Sequence, residues 1–414
     1  MKLLHSWKNA LLYIFGIGVS NLGNWIYLVA INLLVLHMTG SPAAVAGLFI
    51  IRPLATLLTN SWAGSIIDRM NKRKLMISTD IIRGVLIATI PFMSSVWGIY
   101  IIMFLINVAG SFFGPTSMTY VTKLIPTEER KRFNAWSSFT TSGAVLLGPA
   151  ISGLLIAYTD IRISIVINAV SFFICALVIY FLPDVDGEEL DGSKRNVITM
   201  KTLLQDWIAV IDFGKAAKYF MLVYLLFQCA MLLGFALDSQ EATFIKQVLL
   251  LGDEDYGLLI SVAGAGYLAG SAAASLSVKW LSLRMFIGAG VLLSSAGYMI
   301  FYAASGLVTA VIGFIIFGFF SSYANAGFTT FFQNQVPIDL MGRFTSVTRM
   351  LEGMLQIALT LLLGFAADVW SLQAVCLIGA GAAVLISVVL WGVIYAPSKV
   401  RYYESDKVTA TGIH

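Results

Sequence analysis

The sequence predicts an all-α membrane protein in which twelve transmembrane helices form two pseudo-symmetric six-helix halves. Of its 414 residues, 58% are hydrophobic and 12% are charged, whereas a soluble domain carries about 25% charged residues. The chain contains twelve apolar runs, each near or above the ~20 residues that cross a bilayer. A single long polar segment separates the first six runs from the last six, which predicts the two halves.

Short connections join several of the apolar runs. The connection at residues 39–41 and the one around Ser94 are so short that each must join antiparallel neighbouring helices. The first run is too long for the core of a signal peptide, and no small-residue cleavage site follows it, so we interpret it as a retained span. The predicted spans are 10–37, 42–67, 75–95, 97–124, 135–159, 162–182, 218–247, 256–280, 284–304, 307–335, 345–369 and 372–396.

Basic residues are distributed unevenly between the two sides of the predicted bundle. With the N-terminus inside, 21 of the 26 Lys and Arg residues fall in cytoplasmic segments, and the opposite loops hold only Arg162 and Lys246. Because cytoplasmic loops of membrane proteins are enriched in Lys and Arg, both termini are predicted to be cytoplasmic. We expect a multi-pass protein of the plasma (inner) membrane.

Two short stretches match across the polar segment. In LIPTEERKRF (124–133) and QVPIDLMGRF (335–344), each after the fourth span of its half, Pro, Arg and Phe recur at the same positions. Such parallel repeats are typical of transporters with two related halves. The linker stretch MKTLLQDWIAVIDF (200–213) has the pattern of an interfacial amphipathic helix, although a plain tether is the preferred interpretation. The predicted domains are an N-terminal bundle (1–182), a cytoplasmic linker (183–217), a C-terminal bundle (218–396) and a cytoplasmic tail (397–414).

The connection between the second and third spans, GSIIDRMNKRK (64–74), concentrates charge between two apolar runs. It resembles the motif Gly-x-x-x-Asp-Arg-x-x-(Arg/Lys)-(Arg/Lys) found at this place in the major facilitator superfamily of transporters. The corresponding stretch of the second half, SLSVKWLSLR (275–284), keeps basic charge but lacks the Gly–Asp pair. The basic residues are therefore a topology signal, and the Gly–Asp pair is predicted to latch the cytoplasmic side. The matching residues are Gly64, Asp68, Arg69, Lys72 and Arg73.

The fifth span, GAVLLGPAISG (143–153), resembles the glycine–proline motif of exporters in the same superfamily. Small residues at every fourth position also let helices approach closely, and the eighth span repeats that spacing at Gly266, Gly270 and Ala274. Packing between these two spans, which face each other in the superfamily fold, is the first interpretation. The motif residues are Gly143, Gly148, Pro149 and Gly153.

Two further stretches, SNLGNWIYLVAINLLVLHMTGSPAAVAGLF (20–49) and VPIDLMGRF (336–344), are similar to the macrolide-efflux and enterobactin-exporter branch of drug–proton antiporters. The resemblance implies a secondary transporter and not an enzyme, exporting amphipathic small molecules by rocker-switch alternating access. It implies the proton gradient as energy source, no cofactor, and a monomer whose partners are membrane lipid, substrate and protons, without nucleic acid. Asn24 stands where related exporters often carry an acidic residue, and Asn107 lies in the span where many drug–proton antiporters carry an Arg. The proton-coupling residues of those relatives therefore cannot be assigned directly to this chain.

Ionisable residues inside the predicted spans are expensive to bury, so each is a functional candidate. Asp238 and Glu241 of the seventh span are three residues apart and are predicted to share one helix face. With Arg52 of the second span, at a similar depth below the outer surface, they form the predicted proton-coupling group. A static Arg–carboxylate pair that braces the outer gate and a direct contact with a polar substrate are the alternatives.

A second group of charges lies nearer the cytoplasmic side. Two of its pairs, in the third and eleventh spans, are spaced i, i+3, which predicts intrahelical ion pairs or a network at the helix ends. Contact with substrate is the alternative. The predicted cytoplasmic gate comprises Gly64, Asp68, Arg69, Lys72, Arg73, Asp80, Arg83, Arg343, Arg349 and Glu352.

Aromatic and amide side chains on spans that would line a central cavity suit a bulky amphipathic solute better than a sugar or phosphate, although the same rings can serve as packing. An uncoupled or differently coupled carrier for a siderophore, sugar or lysolipid is the first alternative function, and a transporter-like sensor or scaffold is the second. No His lies at metal-ligand spacing and no Gly-x-x-x-x-Gly-Lys motif occurs, so neither a metal site nor an ATPase is predicted. The predicted cavity residues are Asn24, Trp25, Tyr27, Phe227, Gln228, Phe235, Tyr323, Asn325, Phe328 and Phe331.

Overall fold

The computed structural model describes residues 2–126, 129–186 and 200–403, and side chains for all of these except 2–6, 60–65, 68, 69, 131, 200–206, 339 and 401. In this part of the chain, twelve helices are long and apolar enough to cross a membrane, which confirms the predicted all-α membrane fold. The helices are α1 Lys2–Thr39, α2 Pro42–Arg69, α3 Lys72–Thr89, α4 Val96–Leu124, α5 Arg130–Tyr158, α6 Ile161–Phe181, α7 Met200–Ala216, α8 Lys218–Asp238, α9 Glu241–Gln247, α10 Asp253–Ser277, α11 Leu283–Tyr302, α12 Leu307–Gln335, α13 Ile338–Val369 and α14 Leu372–Tyr395.

The predicted tight connection between the first two spans is confirmed. Gly40 follows α1 in a left-handed conformation, with φ of 64°, which a residue without Cβ adopts at little cost. The Ser41 side chain then accepts a hydrogen bond from the Ala44 backbone N–H at 3.2 Å, and Pro42 takes the first helical position of α2. A Ser cap followed by Pro is a strong helix start, so the chain reverses direction within three residues.

The first compact unit comprises Met1–Asn196 together with Ile245–Ser261. Within it, α1 packs on α5 and α6, α3 packs on α4 and α6, and α2 packs on α4. Its main core contains Ile31, Leu48, Ile99 and Phe172, all of which are buried. The unit therefore contains the six helices of the predicted N-terminal bundle and also the residues around the start of α10.

The second compact unit comprises Val197–Phe244 together with Val262–His414. Its most extensive helix–helix packing is between α11 and α12, where Gly297 and Gly313 lie against the backbone of the opposite helix. A Cβ built on Gly297 would lie 2.8 Å from the Gly313 carbonyl oxygen, and one on Gly313 would lie 2.9 Å from that of Gly297. Small residues allow this approach, as expected for helices in a membrane.

The seventh predicted span, 218–247, is not one helix, which corrects the sequence interpretation. Helix α8 ends at Asp238 and α9 begins at Glu241, with a turn at Ser239 and Gln240. The Ser239 hydroxyl donates to the Ala236 carbonyl at 2.6 Å, and the Gln240 backbone N–H donates to Leu237 at 2.8 Å. These polar groups compete with the helical hydrogen bonds and end α8. Asp238 and Glu241 consequently do not share the face of a continuous helix.

The linker stretch MKTLLQDWIAVIDF does form a helix, α7. Helix α7 packs on α8 and α13 of its own unit. The Phe213 ring carries part of this contact, with its centroid 5.7 Å from that of Phe220 and 6.0 Å from that of Phe344. This helical part of the linker is thus a packed component of the second unit.

Candidate transport sites in the two helix bundles

The break between α8 and α9 places two carboxylates close together in the second unit. Asp238 is the last residue of α8 and is half-buried, and Glu241 is the first residue of α9 and is 6% exposed. Among the described residues of this unit, neither carboxylate forms an ion pair. A buried carboxylate without a cation is stabilised by binding a proton, so this site suits reversible protonation.

Arg52, the third member of the predicted proton-coupling group, belongs to the first unit. It lies on α2 with an exposed side chain. An exposed Arg side chain within an apolar helix is more stable in contact with water than in contact with lipid, so this face of α2 is expected to contact water.

The predicted intrahelical pair on α3 is confirmed. Arg83 Nη1 lies 3.2 Å from Asp80 Oδ1, and the Asp80 side chain is completely buried. The Arg83 guanidinium carbon lies 3.9 Å from the centroid of the Phe172 ring on α6 and 5.6 Å from that of Phe113 on α4. Asp80 Oδ2 and Arg83 Nε are buried without a hydrogen-bond partner among the described residues. The pair lies inside the bundle, so it braces α3 against α4 and α6.

The second predicted intrahelical pair, Arg349 with Glu352, is not formed in the described structure, and this part of the prediction is wrong. Glu352 Oε1 instead accepts hydrogen bonds from the Tyr224 hydroxyl at 2.5 Å and from the Gln228 amide, both on α8. Two well-placed neutral donors hold the carboxylate more firmly than one flexible exposed Arg. These residues border a cavity of about 200 Å³, named here the Glu352 cavity, which Phe328 and other residues of α12 also line.

Only two of the predicted cavity residues in the second unit, Gln228 and Phe328, line the Glu352 cavity. Phe227 is 3% exposed and stacks face to face on Phe328, with ring centroids 3.7 Å apart. Phe331 is completely buried and packs 5.7 Å from Phe220. Phe227 and Phe331 are therefore core residues, and Phe227 also supports the cavity wall through its stacking on Phe328.

The other predicted cavity residues of the second unit lie elsewhere. Phe235 is 51% exposed on α8, and the Asn325 amide donates to the Ser321 carbonyl at 2.8 Å. The Tyr323 hydroxyl lies 3.2 Å from the Ser277 hydroxyl on α10. None of the three lines the Glu352 cavity.

In the first unit, the predicted cavity residues of α1 mainly make packing contacts. The Asn24 side-chain oxygen accepts a hydrogen bond from the Asn168 amide of α6 at 3.5 Å. Trp25 lies directly against Gly148 of α5. Tyr27 is buried at 9% exposure in the main core, which corrects its assignment to a cavity surface.

The glycine–proline motif of α5 is confirmed as a packing element at two of its glycines. A Cβ on Gly148 would collide with α1, and one on Gly153 would lie 2.8 Å from the Glu254 carbonyl oxygen of α10. Pro149 contributes its carbonyl to the contact with Gly257 of α10. Gly143, by contrast, has open space among the described residues, so close packing does not explain the glycine there.

The small residues of α10 meet a different partner from the one predicted. Cβ atoms on Gly266 and Gly270 would collide with the backbone of α12, at Ile315 and Phe319 respectively. The contact between α5 and α10 occurs instead at Gly257, nearer the start of α10. Spacing alone identified the helix face but not the helix that packs on it.

A carboxylate that the sequence interpretation missed organises the cytoplasmic end of the first unit. Asp186, after α6, accepts hydrogen bonds from the Lys72 backbone N–H at 2.5 Å and from Lys123 Nζ at 2.8 Å. Burial alone would raise the pKa of Asp186, but these two donors outweigh it and hold that pKa below its ordinary value. The signal available in the sequence was the acidic stretch PDVD directly after the sixth span.

The same end of the unit holds two further contacts of the motif loop. The Asn71 amide donates to Asp184 at 2.8 Å, while its side-chain oxygen accepts from the Lys74 backbone N–H at 2.9 Å. Arg73 donates to the Ile179 carbonyl at 3.3 Å and to the Tyr180 carbonyl. Of the remaining predicted gate residues, Arg343 is exposed on α13. The side chains of Asp68 and Arg69, and the surroundings of Gly64, lie outside the described part of the structure.

A second network that the sequence did not reveal holds the residues around the start of α10 in the first unit. Asp253 pairs with His37 at 3.3 Å and with Lys246 at 2.6 Å. The Asn32 amide donates to the Tyr256 hydroxyl at 2.9 Å. These contacts explain why the segment Ile245–Ser261 belongs to the compact unit of α1–α6.

Twelve helices that are long and apolar enough to cross a membrane define a multi-pass membrane protein. The chain belongs to the Major Facilitator Superfamily, whose family model matches residues 13–359. It is therefore a transporter of that superfamily and not an enzyme.

Three proteins illustrate the similarity. The chain is 24% identical to the uncharacterized MFS-type transporter YfiS of Bacillus subtilis over 333 residues, 78% of each chain. It is 28% identical to the multidrug resistance protein MdtH of Salmonella typhimurium over 116 residues, 28% of this chain and 29% of MdtH. The solved structure of a bacterial homolog of the human lysosomal transporter Spinster shares 14% identity and covers 96% of this chain and 97% of its own, with a TM-score of 0.71. At that identity the structural likeness shows the fold alone.

Proposed function

We propose that this transporter is a proton-coupled exporter of amphipathic small molecules, of the multidrug or macrolide-like efflux type. It resides in the plasma membrane with both termini cytoplasmic, acts as a monomer by rocker-switch alternating access, and needs no cofactor. The observation that carries this proposal is the pair of carboxylates at the break between α8 and α9, which has no cation partner among the described residues of its unit.

The chemistry of that pair supports inward proton flow. When water reaches Asp238 and Glu241 from the acidic side, a bound proton neutralises one carboxylate and removes the repulsion between the two negative charges. When the site opens to the less acidic cytoplasm, the proton leaves because water stabilises the newly formed carboxylate. Repulsion between the two carboxylates opposes this release, so it requires hydration of the site. The energy of the proton gradient is thereby available to drive solute in the opposite direction.

Two observations support the direction and the substrate. The α5 motif, which resembles that of exporters, forms close helix contacts at Gly148 and Gly153. The partial similarity to MdtH, a multidrug resistance protein, also favours efflux of drug-like solutes. The roles predicted for Arg52 at the proton site and for the motif loop at the cytoplasmic gate stay predictions.

The test is substrate-induced proton flux in proteoliposomes, with solutes chosen by an efflux screen in a pump-deficient host. Asp238→Asn and Glu241→Gln should abolish pH-driven transport while counterflow exchange of the solute persists, because the carboxylates couple transport without forming the solute path. Asp212→Asn is the control, since Asp212 is 64% exposed on α7.

Two outcomes would contradict the proposal. If the double variant transports with the same pH dependence as the wild type, these carboxylates do not carry the proton. If the wild type transports solute without any proton flux, the chain is an uncoupled carrier of the same fold.

A further inference from the structure

The Glu352 cavity combines features of a binding site that the proton-coupling group does not use. Helix α8 contributes Tyr224 and Gln228, and α13 contributes Arg349 and Glu352. We propose that this cavity binds the head of a solute that carries one cationic and one anionic group. This proposal rests on the export function proposed above, and it identifies the exported solutes as amphipathic zwitterions.

Glu352 is positioned to receive the cationic group. Both of its described hydrogen bonds fall on Oε1, from the Tyr224 hydroxyl and the Gln228 amide, so Oε2 is left for a ligand. Both donors are neutral, so they orient the carboxylate without cancelling its charge. A preoriented carboxylate with uncancelled charge is a strong acceptor for an ammonium group.

Arg349 is positioned to receive the anionic group. It lies one helical turn from Glu352 on α13, with an exposed side chain that forms no ion pair with the described residues. Its planar guanidinium suits a carboxylate or phosphate. Residues spaced i, i+3 have Cβ atoms about 5–6 Å apart on one side of a helix, so both charged groups can reach the head of one solute.

The aromatic wall of the cavity is rigid. The Phe328 ring stacks on Phe227, with centroids 3.7 Å apart, and its centroid lies 5.7 Å from that of Tyr224. The Phe332 ring packs 5.7 Å from the core residue Phe344. Rings held in this way offer an apolar surface to the solute at little entropic cost, and their faces attract a cation.

The size of the cavity indicates that it takes the head of the solute and not the whole molecule. Its volume is about 200 Å³, whereas sites for drug-sized ligands span roughly 300–1,000 Å³. A singly charged head would leave either Arg349 or Glu352 without a partner. The free-energy cost of leaving that charge unpaired makes the cavity bind singly charged heads more weakly than zwitterionic ones.

The proposal is tested by equilibrium binding to the full chain in lipid nanodiscs. The probes are the dipeptide phenylalanylglycine, a zwitterion, and three analogues of nearly the same shape: its amide (a cation), its N-acetyl derivative (an anion), and the N-acetyl amide (neutral). We expect the zwitterion to bind roughly tenfold more tightly than either singly charged analogue, since each lacks one charge-assisted contact.

Two variants test which residue of the Glu352 cavity recognises each charge of the zwitterion. Glu352→Gln should remove the preference for the zwitterion over the N-acetyl anion, and Arg349→Gln should remove the preference over the amide cation. Arg162→Gln, at an exposed Arg on α6 of the first unit, is the control and should leave all four affinities unchanged. The wild-type ranking of the four probes needs no variant, so a variant that fails to fold does not prevent the test.

The outcomes separate this inference from the proposed function. If the four probes bind the wild type equally or not at all, or if Glu352→Gln keeps the wild-type ranking, the zwitterion site is refuted while proton coupling at Asp238 and Glu241 can still be present. If the ranking holds but no solute drives proton flux, the coupling proposal fails and the binding site stands.

Discussion

The contact between Asp186 and the start of α3 makes a sharp prediction about stability. Asp186→Ala removes an acceptor from the Lys72 backbone N–H and from Lys123 Nζ. The first N–H groups of a helix have no partner inside the helix, so this substitution leaves one of them unsatisfied at a site where Asp186 is 3% exposed.

The size of the effect follows from these two contacts. A lost cap of a helix N-terminus costs about 1 kcal/mol, and an ion pair with a half-exposed Lys contributes at most about 1 kcal/mol. A loss of 1–2 kcal/mol in a unit of this size lowers Tm by roughly 2–8 °C. Asp212→Ala, which breaks an exposed pair with Lys215, should lower Tm by less than about 1 °C.

The pH dependence of Tm, compared between the wild type and Asp186→Asn, provides a second arm of the test. Because the pKa of Asp186 is lowered in the folded protein, its charge stabilises the fold fully above the ordinary Asp pKa of about 3.9 and loses this effect as pH falls through the folded pKa. The Tm difference between wild type and variant should be constant from about pH 8 to 5 and shrink only at lower pH. Thermal unfolding of purified protein measures both arms. A difference that shrinks between pH 7 and 5, or an unchanged Tm for Asp186→Ala, would refute the reasoning.

Two further predictions concern the interior of the first unit. Gly153→Leu should lower expression and Tm, because even its Cβ would lie 2.8 Å from the Glu254 carbonyl oxygen, whereas Gly143→Leu, with open space among the described residues, should behave like the wild type in the same measurements. Arg83→Met should lower Tm more than Asp186→Ala, because breaking one side of a buried ion pair costs about 3–5 kcal/mol. Adding Asp80→Asn should recover most of that loss, and no recovery in the double variant would contradict an ion-pair role.

Hydropathy sufficed for the fold because a span is a local property of the chain. Each of the twelve helices satisfies its backbone hydrogen bonds internally, as a membrane requires, so a run of about 20 apolar residues predicts it without tertiary information. The turn at Gly40 and the pair formed by Asp80 and Arg83 were predictable for the same reason, since both depend on residues at most four positions apart.

The errors arose where the decisive partner lies far along the chain. Glu352 was predicted to pair with Arg349 three residues away, but its hydrogen-bond donors are Tyr224 and Gln228, which lie 128 and 124 residues away. Phe331 was predicted to face a cavity, but its packing partner on α8 is also distant in sequence. Spacing identifies neighbours within a helix, and it carries no information about which other helix approaches.

The break in the seventh span was missed for a different reason. The predicted span 218–247 includes the four polar residues 238–241, but its mean hydropathy is high enough that the whole stretch was interpreted as one helix. The stop comes from Ser239 and Gln240, whose polar groups bond back to the preceding turn, and from the Tyr302 hydroxyl, which donates to the Leu237 carbonyl at 2.6 Å. The last of these contacts is tertiary and leaves no local pattern.

The close approach of α11 and α12 has a consequence for how the sequence can change over time. Gly297 and Gly313 each lack room for a side chain because of the backbone of the opposite helix, at Phe317 and Phe301 respectively and at the other glycine's carbonyl. An alanine at either position separates the same two backbones, so once one has changed, the second change costs less than it would alone. We therefore expect related chains to keep both glycines or to replace both together.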